Sequence, residues 1–265
     1  MSTMKTYRRS FFRDLLVLTK RSILVTLRVP FAIIPNLAIS LFFLLVYQAG
    51  LSGIGSIPAF GGAHYLNFIL PVAIVSGAVG GAGGSGQALI RDLETRYFTK
   101  LRLTPVSRTA LVLAPMITGM LQLMVQSTLI MIVAYFMGLQ VPTGITGAIA
   151  VILLASGWGL AFAGYAVAIA LRSGNGQTAQ AATFIFFPLL FLSDTFVPLS
   201  LISSAWLKVA STINPTTYVF GAMRSILIQG WQAKPLLEGL LAIAILAAIT
   251  LVWAATTARK TLRRA

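Results

Sequence analysis

The chain of 265 residues is 57% hydrophobic and only 9% charged, with a mean hydropathy of +0.89. A water-soluble globule needs more polar surface than this composition supplies, so the lipid bilayer is the expected solvent. The formal charge of +15 comes from 20 basic residues, which form clusters that alternate with apolar stretches. That alternation is typical of membrane topology and argues against a nucleic-acid-binding face. Cysteine is absent, which excludes disulfides and thiolate metal sites.

The first part of the chain mixes basic and apolar side chains. Residues 7–28 place Phe11 and other apolar residues among arginines and lysines, a pattern that predicts an amphipathic helix along the membrane surface. Pro30 is expected to end or kink that helix. The first transmembrane span follows at 31–49, with Asn36 as its polar exception.

Five further spans are expected along the chain. They cover 65–90, 109–137, 145–171, 181–192 and 235–255. A short loop at 173–180 joins the fourth span to the fifth. Residues 193–234 are too polar for a span and too apolar for a solvated loop, so they are interpreted as extracytoplasmic re-entrant or interfacial helices.

This pattern predicts an all-α integral membrane protein with a single transmembrane domain over 1–265. Six crossings put both termini in the cytoplasm. They also place 17 of the 20 basic residues inside, which favours six crossings over five or seven.

The second span contains a glycine-rich string. Gly81, Gly83 and Gly86 match the pattern G-x-G-x-x-G, but they lie inside an apolar span and do not follow a strand, which argues against a dinucleotide site. The string also holds two overlapping G-x-x-x-G pairs, which begin at Gly77 and Gly80. Close helix packing is the favoured interpretation, and an unwound segment in a moving gate is the alternative.

Few residues could support catalysis or ion coupling. One histidine and five acidic residues do not supply a nucleophile, a base and an orienting group. Asp92 and Glu94 are interpreted as a solvated, salt-bridged island with Arg91 and Arg96. Asp194 ends the fifth span and is expected to be exposed or helix-capping, not a proton relay. No glycine is followed by lysine, so a Walker A string is absent. If transport is powered by ATP, another chain must bind the nucleotide.

Three segments resemble motifs of type-2 ABC transporter permeases. Residues 97–108, YFTKLRLTPVSR, resemble the first cytoplasmic loop, where a coupling helix precedes a TPVSR-like string. Residues 214–218, NPTTY, followed by Arg224, resemble the N-P-x-T-Y…R signature before the last span. Residues 192–198, LSDTFVP, resemble the string that ends span five, although Asp194 stands where a small residue is usual. The order of these motifs is most similar to that of daunorubicin-resistance-type permeases.

The resemblance implies a six-helix exporter permease in the cell (inner or plasma) membrane, with a cytoplasmic coupling loop at 92–108. It implies a second permease copy or a homologous permease, ABC ATPase subunits that bind ATP and magnesium, and no cofactor on this chain. The expected cargo is a hydrophobic or amphipathic drug, antibiotic or lipid. Export of a polysaccharide or another glycan, an ion-coupled carrier, and a membrane enzyme that acts on lipid remain alternatives.

The resemblance also assigns roles to individual residues. ATPase coupling falls to Tyr97, Lys100, Leu101, Arg102, Thr104, Pro105 and Arg108. The candidates for the translocation path are Asn36, Gln87, Phe184, Phe187 and Phe191, with generic helix packing as the rival interpretation of each. The re-entrant gate would contain Pro198, Asn214, Pro215, Tyr218 and Arg224.

Overall fold

The computed structural model describes residues 11–28, 34–53, 65–94 and 108–264, without the side chains of 27, 108 and 262–264. Every regular element within these ranges is helical. The α-helices are α1 (Phe11–Leu27), α2 (Ile34–Leu51), α3 (Tyr65–Ser76), α4 (Ala78–Glu94), α5 (Arg108–Phe136), α6 (Gly144–Ser173), α7 (Gly176–Ala182), α8 (Phe186–Phe191), α9 (Ala205–Ile213), α10 (Pro215–Arg224) and α11 (Ala233–Arg264). Shorter helical turns lie at Thr183–Ile185, Leu199–Leu201 and Ser225–Gln229.

Five stretches of the described chain are helices long and apolar enough to cross a bilayer. They are α2, the α3–α4 pair, α5, α6 and α11. Their bounds agree with five of the six predicted spans to within a few residues, except that α11 extends well beyond the predicted end at 255. α1 likewise occupies the predicted amphipathic segment.

The predicted fifth span, 181–192, has a different form. Helical structure begins earlier, at Gly176, and reaches Phe191 in pieces of 7, 3 and 6 residues. The predicted loop at 173–180 is therefore wrong. Gly174 ends α6 in a left-handed conformation with φ of 66°, and Asn175 begins α7 by accepting hydrogen bonds from the backbone N–H groups of Gln177 and Thr178. Two residues are enough to stop one helix and start the next.

The α3–α4 pair forms the centre of the bundle. Its most apolar stretch is buried along its whole length, and the interruption is a single turn at Gly77. α6 packs against α4, α5 and α11, and the buried Trp158 of α6 belongs to the main hydrophobic core. By contrast, α2 and α11 expose apolar side chains such as Phe42 and Val252, as expected of helices that face lipid or another subunit.

Close contacts of α4 explain its glycine string. A Cβ atom on Gly81 would lie 3.1 Å from the carbonyl oxygen of Gly119 in α5, so the two backbones touch. A Cβ atom on Gly86 would lie 2.8 Å from the side chain of Ala179 and 3.1 Å from the carbonyl oxygen of Ala166. The helix-packing interpretation of the glycine string is therefore confirmed.

We expect Gly119→Ala to destabilise the permease, because the new methyl group would lie 2.9 Å from the backbone oxygen of Gly81. Overpacking of this kind costs about 1–3 kcal/mol. Gly84→Ala is the matched control, since nothing lies within 4 Å of the position of its Cβ atom. Thermal unfolding in detergent, followed by tryptophan fluorescence, should show a lower midpoint for Gly119→Ala alone. Equal midpoints would contradict the close approach of α4 and α5.

Candidate functional site

A polar cavity of about 340 Å³ lies among α1, α2, α4, α5 and α7. Its polar and charged lining residues are Arg21, Ser22, Thr26, Asn36, Ser85, Gln87, Arg91, Asp92, Thr118, Gln122 and Gln180. Polar side chains inside an apolar bundle are costly unless they are paired or hydrated. A concave site with several converging polar groups is therefore the first candidate for a functional site.

Glycines on α4 make room for amide side chains from the neighbouring helices. A Cβ atom on Gly80 would overlap the side-chain amide of Asn36, and one on Gly83 would overlap that of Gln180. The side chain of Gln87 also donates a hydrogen bond of 3.4 Å to Gln180. The glycine string thus shapes the cavity as well as the helix contacts, a role that the sequence pattern did not reveal.

The cavity contains two of the five predicted path residues. Asn36 and Gln87 line it, whereas the three phenylalanines do not. Phe184 and Phe191 are more than half exposed, and Phe184 stacks on Phe187 with ring centroids 5.8 Å apart. These aromatic rings form a separate surface along the α7–α8 stretch.

Arg21 and Asp92 join α1 to the end of α4. Two guanidinium nitrogens of Arg21 donate to the two carboxylate oxygens of Asp92 at 2.8 Å each, a bidentate arrangement that fixes orientation. Asp92 was expected to pair with its neighbours Arg91 and Arg96, and Arg96 lies outside the described residues. Arg21 is 71 residues earlier, and no local sequence signal could identify it as a partner of Asp92.

Further polar side chains pair with one another between α2, α3 and α5, outside the lining of the cavity. The side chain of Gln126 donates to the hydroxyl of Ser40 at 3.0 Å, and Ser40 lies 3.1 Å from the hydroxyl of Ser76. A Cβ atom on Gly77 would lie 2.5 Å from the amide nitrogen of Gln126. Gln122, which the sequence places on the same helix face as Gln126, lines the cavity instead.

Most of the predicted coupling residues are in a part of the chain that the structure does not describe. Tyr97, Lys100, Leu101, Arg102, Thr104 and Pro105 lie outside the described residues, and Arg108 is described by its backbone as the first residue of α5.

The predicted gate segment has a local structural explanation. Asn214 caps α10, since its side-chain oxygen accepts a hydrogen bond of 3.0 Å from the backbone N–H of Thr216. Pro215 occupies the first helical turn, where its missing N–H group has no cost. The hydroxyl of Tyr218 donates to the carbonyl oxygen of Thr212 at 2.6 Å. The NPTTY motif therefore fixes the junction between α9 and α10.

The side chain of Arg224 makes several hydrogen bonds and a cation–π contact in this segment. Its guanidinium donates to the carbonyl oxygens of Phe68 at 3.0 Å and Thr195 at 2.8 Å, and to the carboxylate of Asp194 at 2.8 Å. It also lies 3.5 Å from the ring centroid of Phe68, a cation–π contact. The arginine thereby ties α10 to the start of α3 and to the chain after α8.

Asp194 is mostly buried, so the prediction that it is exposed or helix-capping is wrong. Burial raises the pKa of the Asp194 carboxyl above its ordinary value, and the charge of Arg224 opposes that shift. The two residues are 30 positions apart, so their pairing was not visible in the sequence.

A second cavity of about 340 Å³ adjoins this ion pair and contains three of the predicted gate residues, Pro198, Tyr218 and Arg224. Glu238 of α11 also lines it. Phe68 belongs to the start of the α3–α4 pair and Asp92 to its end, so the two cavities lie at opposite ends of that helix pair.

The described helices and their exposed apolar faces define a multi-pass α-helical membrane protein with polar sites at both ends. A sequence profile described as "ABC-2 type transporter" matches residues 13–228, and the chain belongs to that family. It is also 27% identical over 226 residues to a protein of Cyanophora paradoxa, ycf38, whose name describes a transport permease; the alignment covers 81% of this chain and 74% of that protein. The resemblance to type-2 ABC permeases is confirmed. The chain is a transport permease subunit and not itself an ATPase.

We expect Arg224→Leu to destabilise the permease by about 3–5 kcal/mol, because the substitution leaves the carboxylate of Asp194 buried without its counter-charge. The double substitution of Asp194 and Arg224 by leucine should recover part of this loss. Lys208→Leu, at an exposed site, is the control and should change stability by less than about 0.5 kcal/mol. Thermal and denaturant unfolding in detergent measure the three effects. A double variant that is no more stable than Arg224→Leu alone would contradict a coupled pair.

Proposed function

We propose that this permease works with ABC ATPase subunits to export a hydrophobic or amphipathic compound, such as a drug, antibiotic or lipid, from the cytoplasm or the inner leaflet. The observation that carries the proposal is the polar cavity beside the Arg21–Asp92 pair in a permease of the ABC-2 family. ATP and magnesium are bound by the partner subunits. A second permease, identical or homologous, completes the transporter.

The proposed topology has six crossings, of which Gly176–Phe191 is the fifth. Both termini lie in the cytoplasm, and the permease lies in the inner or plasma membrane of the cell. The distribution of basic residues supports it. So does a hydrogen bond of 3.3 Å from the hydroxyl of Thr261 in α11 to the carbonyl oxygen of Leu171 in α6, which brings the basic ends of both helices together.

In this mechanism, closure of the ATPase pair pushes on residues 92–108 and on α1. The permease then moves between inward-open and outward-open states. The Arg21–Asp92 pair supports a joint movement, because it connects α1 to the helix that ends at the coupling loop. The pair is partly exposed, with 34% and 25% of the two side chains accessible, so it can break and re-form at a small cost in free energy.

Charge reversal at Lys100, Arg102 and Arg108 is expected to abolish co-purification of the ATPase, because these cations would contact it directly. Lys208→Glu with Lys234→Glu is the control, since both residues belong to the proposed extracytoplasmic segment. Affinity purification of the co-expressed subunits measures the effect. Unchanged assembly of the triple variant would rule out the coupling role and leave the three cations as determinants of topology alone.

Asp92→Asn should uncouple ATP hydrolysis from transport, because it weakens the bidentate contact with Arg21. We expect export to fall about tenfold, consistent with a loss near 1.4 kcal/mol, while ATP hydrolysis is retained. Glu94→Gln, two residues further along and exposed, is the matched control. Both rates should be measured on the permease–ATPase complex in vesicles. Equal effects of the two substitutions would exclude a special role for Asp92.

The same vesicles test the proposal as a whole. ATP-dependent movement of an amphipathic dye that requires both subunits is the expected result. Movement driven by an ion gradient, with the permease alone and no nucleotide, would instead establish a secondary carrier.

A further inference from the structure

The second cavity, beside the Arg224–Asp194 pair, is enclosed by four separate parts of the chain. They are Phe68 of α3, the stretch after α8, α10 with the helical turn that follows it, and the start of α11. Its volume of about 340 Å³ is in the range of sites for small organic molecules. The structural role of Arg224 explains one side of this cavity and leaves the α11 side without an explanation.

The lining of this cavity carries more negative than positive charge. The carboxylates of Asp194 and Glu238 line it together with a single guanidinium, that of Arg224. Lys234, one turn before Glu238 on α11, is exposed and is not part of the lining. The stretch 54–64, which precedes α3 and lies outside the described residues, contains neither lysine nor arginine. One carboxylate is therefore in excess of the cations that line the cavity.

Arg224 is committed to groups other than Glu238. Its guanidinium donates to the carbonyl oxygens of Phe68, Asp194 and Thr195 and to one carboxylate oxygen of Asp194. Within the described residues, the half-buried Glu238 has no ion pair, and Oδ1 of Asp194 accepts no hydrogen bond. A carboxylate that has lost part of its hydration without gaining a counter-charge is costly, so the site favours a bound cation.

A buried hydroxyl gives independent evidence for a ligand. Thr217 of α10 lines the cavity and is only 7% exposed, yet its hydroxyl has no hydrogen-bond partner among the described residues. The two helices that carry Thr217 and Glu238 touch closely, since a Cβ atom on Gly239 would lie 2.9 Å from the carbonyl oxygen of Tyr218. This contact holds the hydroxyl and the carboxylate on neighbouring sides of one cavity. Buried polar groups without partners are rare in folded proteins, and a ligand is one explanation for them.

We propose that the second cavity binds an organic ammonium ion, whose N–H groups donate to Glu238, Asp194 and Thr217. Its single positive charge balances the excess carboxylate. Apolar lining residues such as Pro198, Leu199 and Ile228 suit the carbon skeleton of such a ligand. A divalent metal ion fits less well, because the described residues contain no group of three metal-binding side chains and because Arg224 repels it. Binding at this site requires neither ATP nor the ATPase, so it is independent of the export function.

The probe for this site is tritiated phenethylammonium, and its equilibrium binding is measured on the full-length permease in phosphatidylcholine nanodiscs. Unlabelled phenethylammonium should compete at least about tenfold better than 2-phenylethanol, which has the same skeleton and no charge. It should also compete better than phenethyltrimethylammonium, which has the charge and no N–H group to donate. Sodium and calcium ions at matched ionic strength should not compete.

Glu238→Gln should weaken binding of the probe about tenfold, because it removes the unpaired carboxylate. Glu94→Gln is the matched control, since Glu94 is exposed at the end of α4 and lies outside the lining. Thr217→Val keeps the shape of the side chain and should weaken binding about threefold. Thermal unfolding separates binding from folding: without the probe, Glu238→Gln should be at least as stable as the parent, and saturating probe should raise the midpoint of the parent alone.

The ammonium group can come from a free amine or from a lipid headgroup, and a second set of nanodiscs distinguishes these sources. Phosphatidylethanolamine carries N–H donors that phosphatidylcholine lacks. If the lipid supplies the ammonium, adding phosphatidylethanolamine should weaken binding of the probe to the parent and leave Glu238→Gln unaffected. If a free amine is the ligand, the affinity of the parent should be the same in both kinds of nanodisc.

Equal competition by phenethylammonium and 2-phenylethanol would overturn the inference, since it would indicate an apolar site without charge selection. Strong competition by sodium or calcium would also overturn it, because the ligand would then be an inorganic ion. Equal binding to Glu238→Gln and the parent would exclude the carboxylate as a ligand group. A lower unfolding midpoint for Glu238→Gln without the probe would contradict the inference as well, because Glu238 would already have a counter-charge in the protein.

Discussion

The approach of neighbouring helices to the glycine face of α4 is the constraint from which both the packing and the cavity follow. In a bundle dissolved in lipid, a polar side chain must find its partners inside the protein. Glycines on α4 let Asn36 and Gln180 enter positions that any larger residue would block, while Gly81 lets α4 and α5 touch directly. The same surface therefore supplies tight contacts on one side and a polar space on another.

The two ends of the α3–α4 pair carry ion pairs of different character. Asp92, near the end of α4, shares a partly exposed contact with Arg21, whose loss is inexpensive because water can replace it. Asp194 near the other end pairs with the buried Arg224, and separation of that pair would leave charges without solvent. The first pair is suited to a contact that changes during transport. The second is suited to holding α10 and the chain after α8 against the start of α3.

Sequence patterns gave most of the fold and only part of the site. Hydrophobic length located five long spans, and the amphipathic pattern located α1, because both depend on residues close together in the chain. The short, broken stretch from Gly176 to Phe191 was placed less accurately, since capping by Asn175 could start a helix where glycine and polar residues suggested a loop. Asn36 and Gln87 were two of the five residues predicted for the translocation path, and both line the cavity.

By itself, the sequence determined that this is an integral membrane protein and which of its segments are apolar enough to cross the bilayer. It also determined which motifs the chain shares with ABC-2 permeases. Only the tertiary structure decided which polar groups meet: Asp92 with Arg21, Asp194 with Arg224, and Gln87 with Gln180. The physical reason is that burial and helical periodicity depend on residues that are close together in the chain, so a local sequence pattern shows them. The partner of a charged side chain depends on how helices that are distant in the sequence pack together, and no local sequence pattern shows which residues will meet.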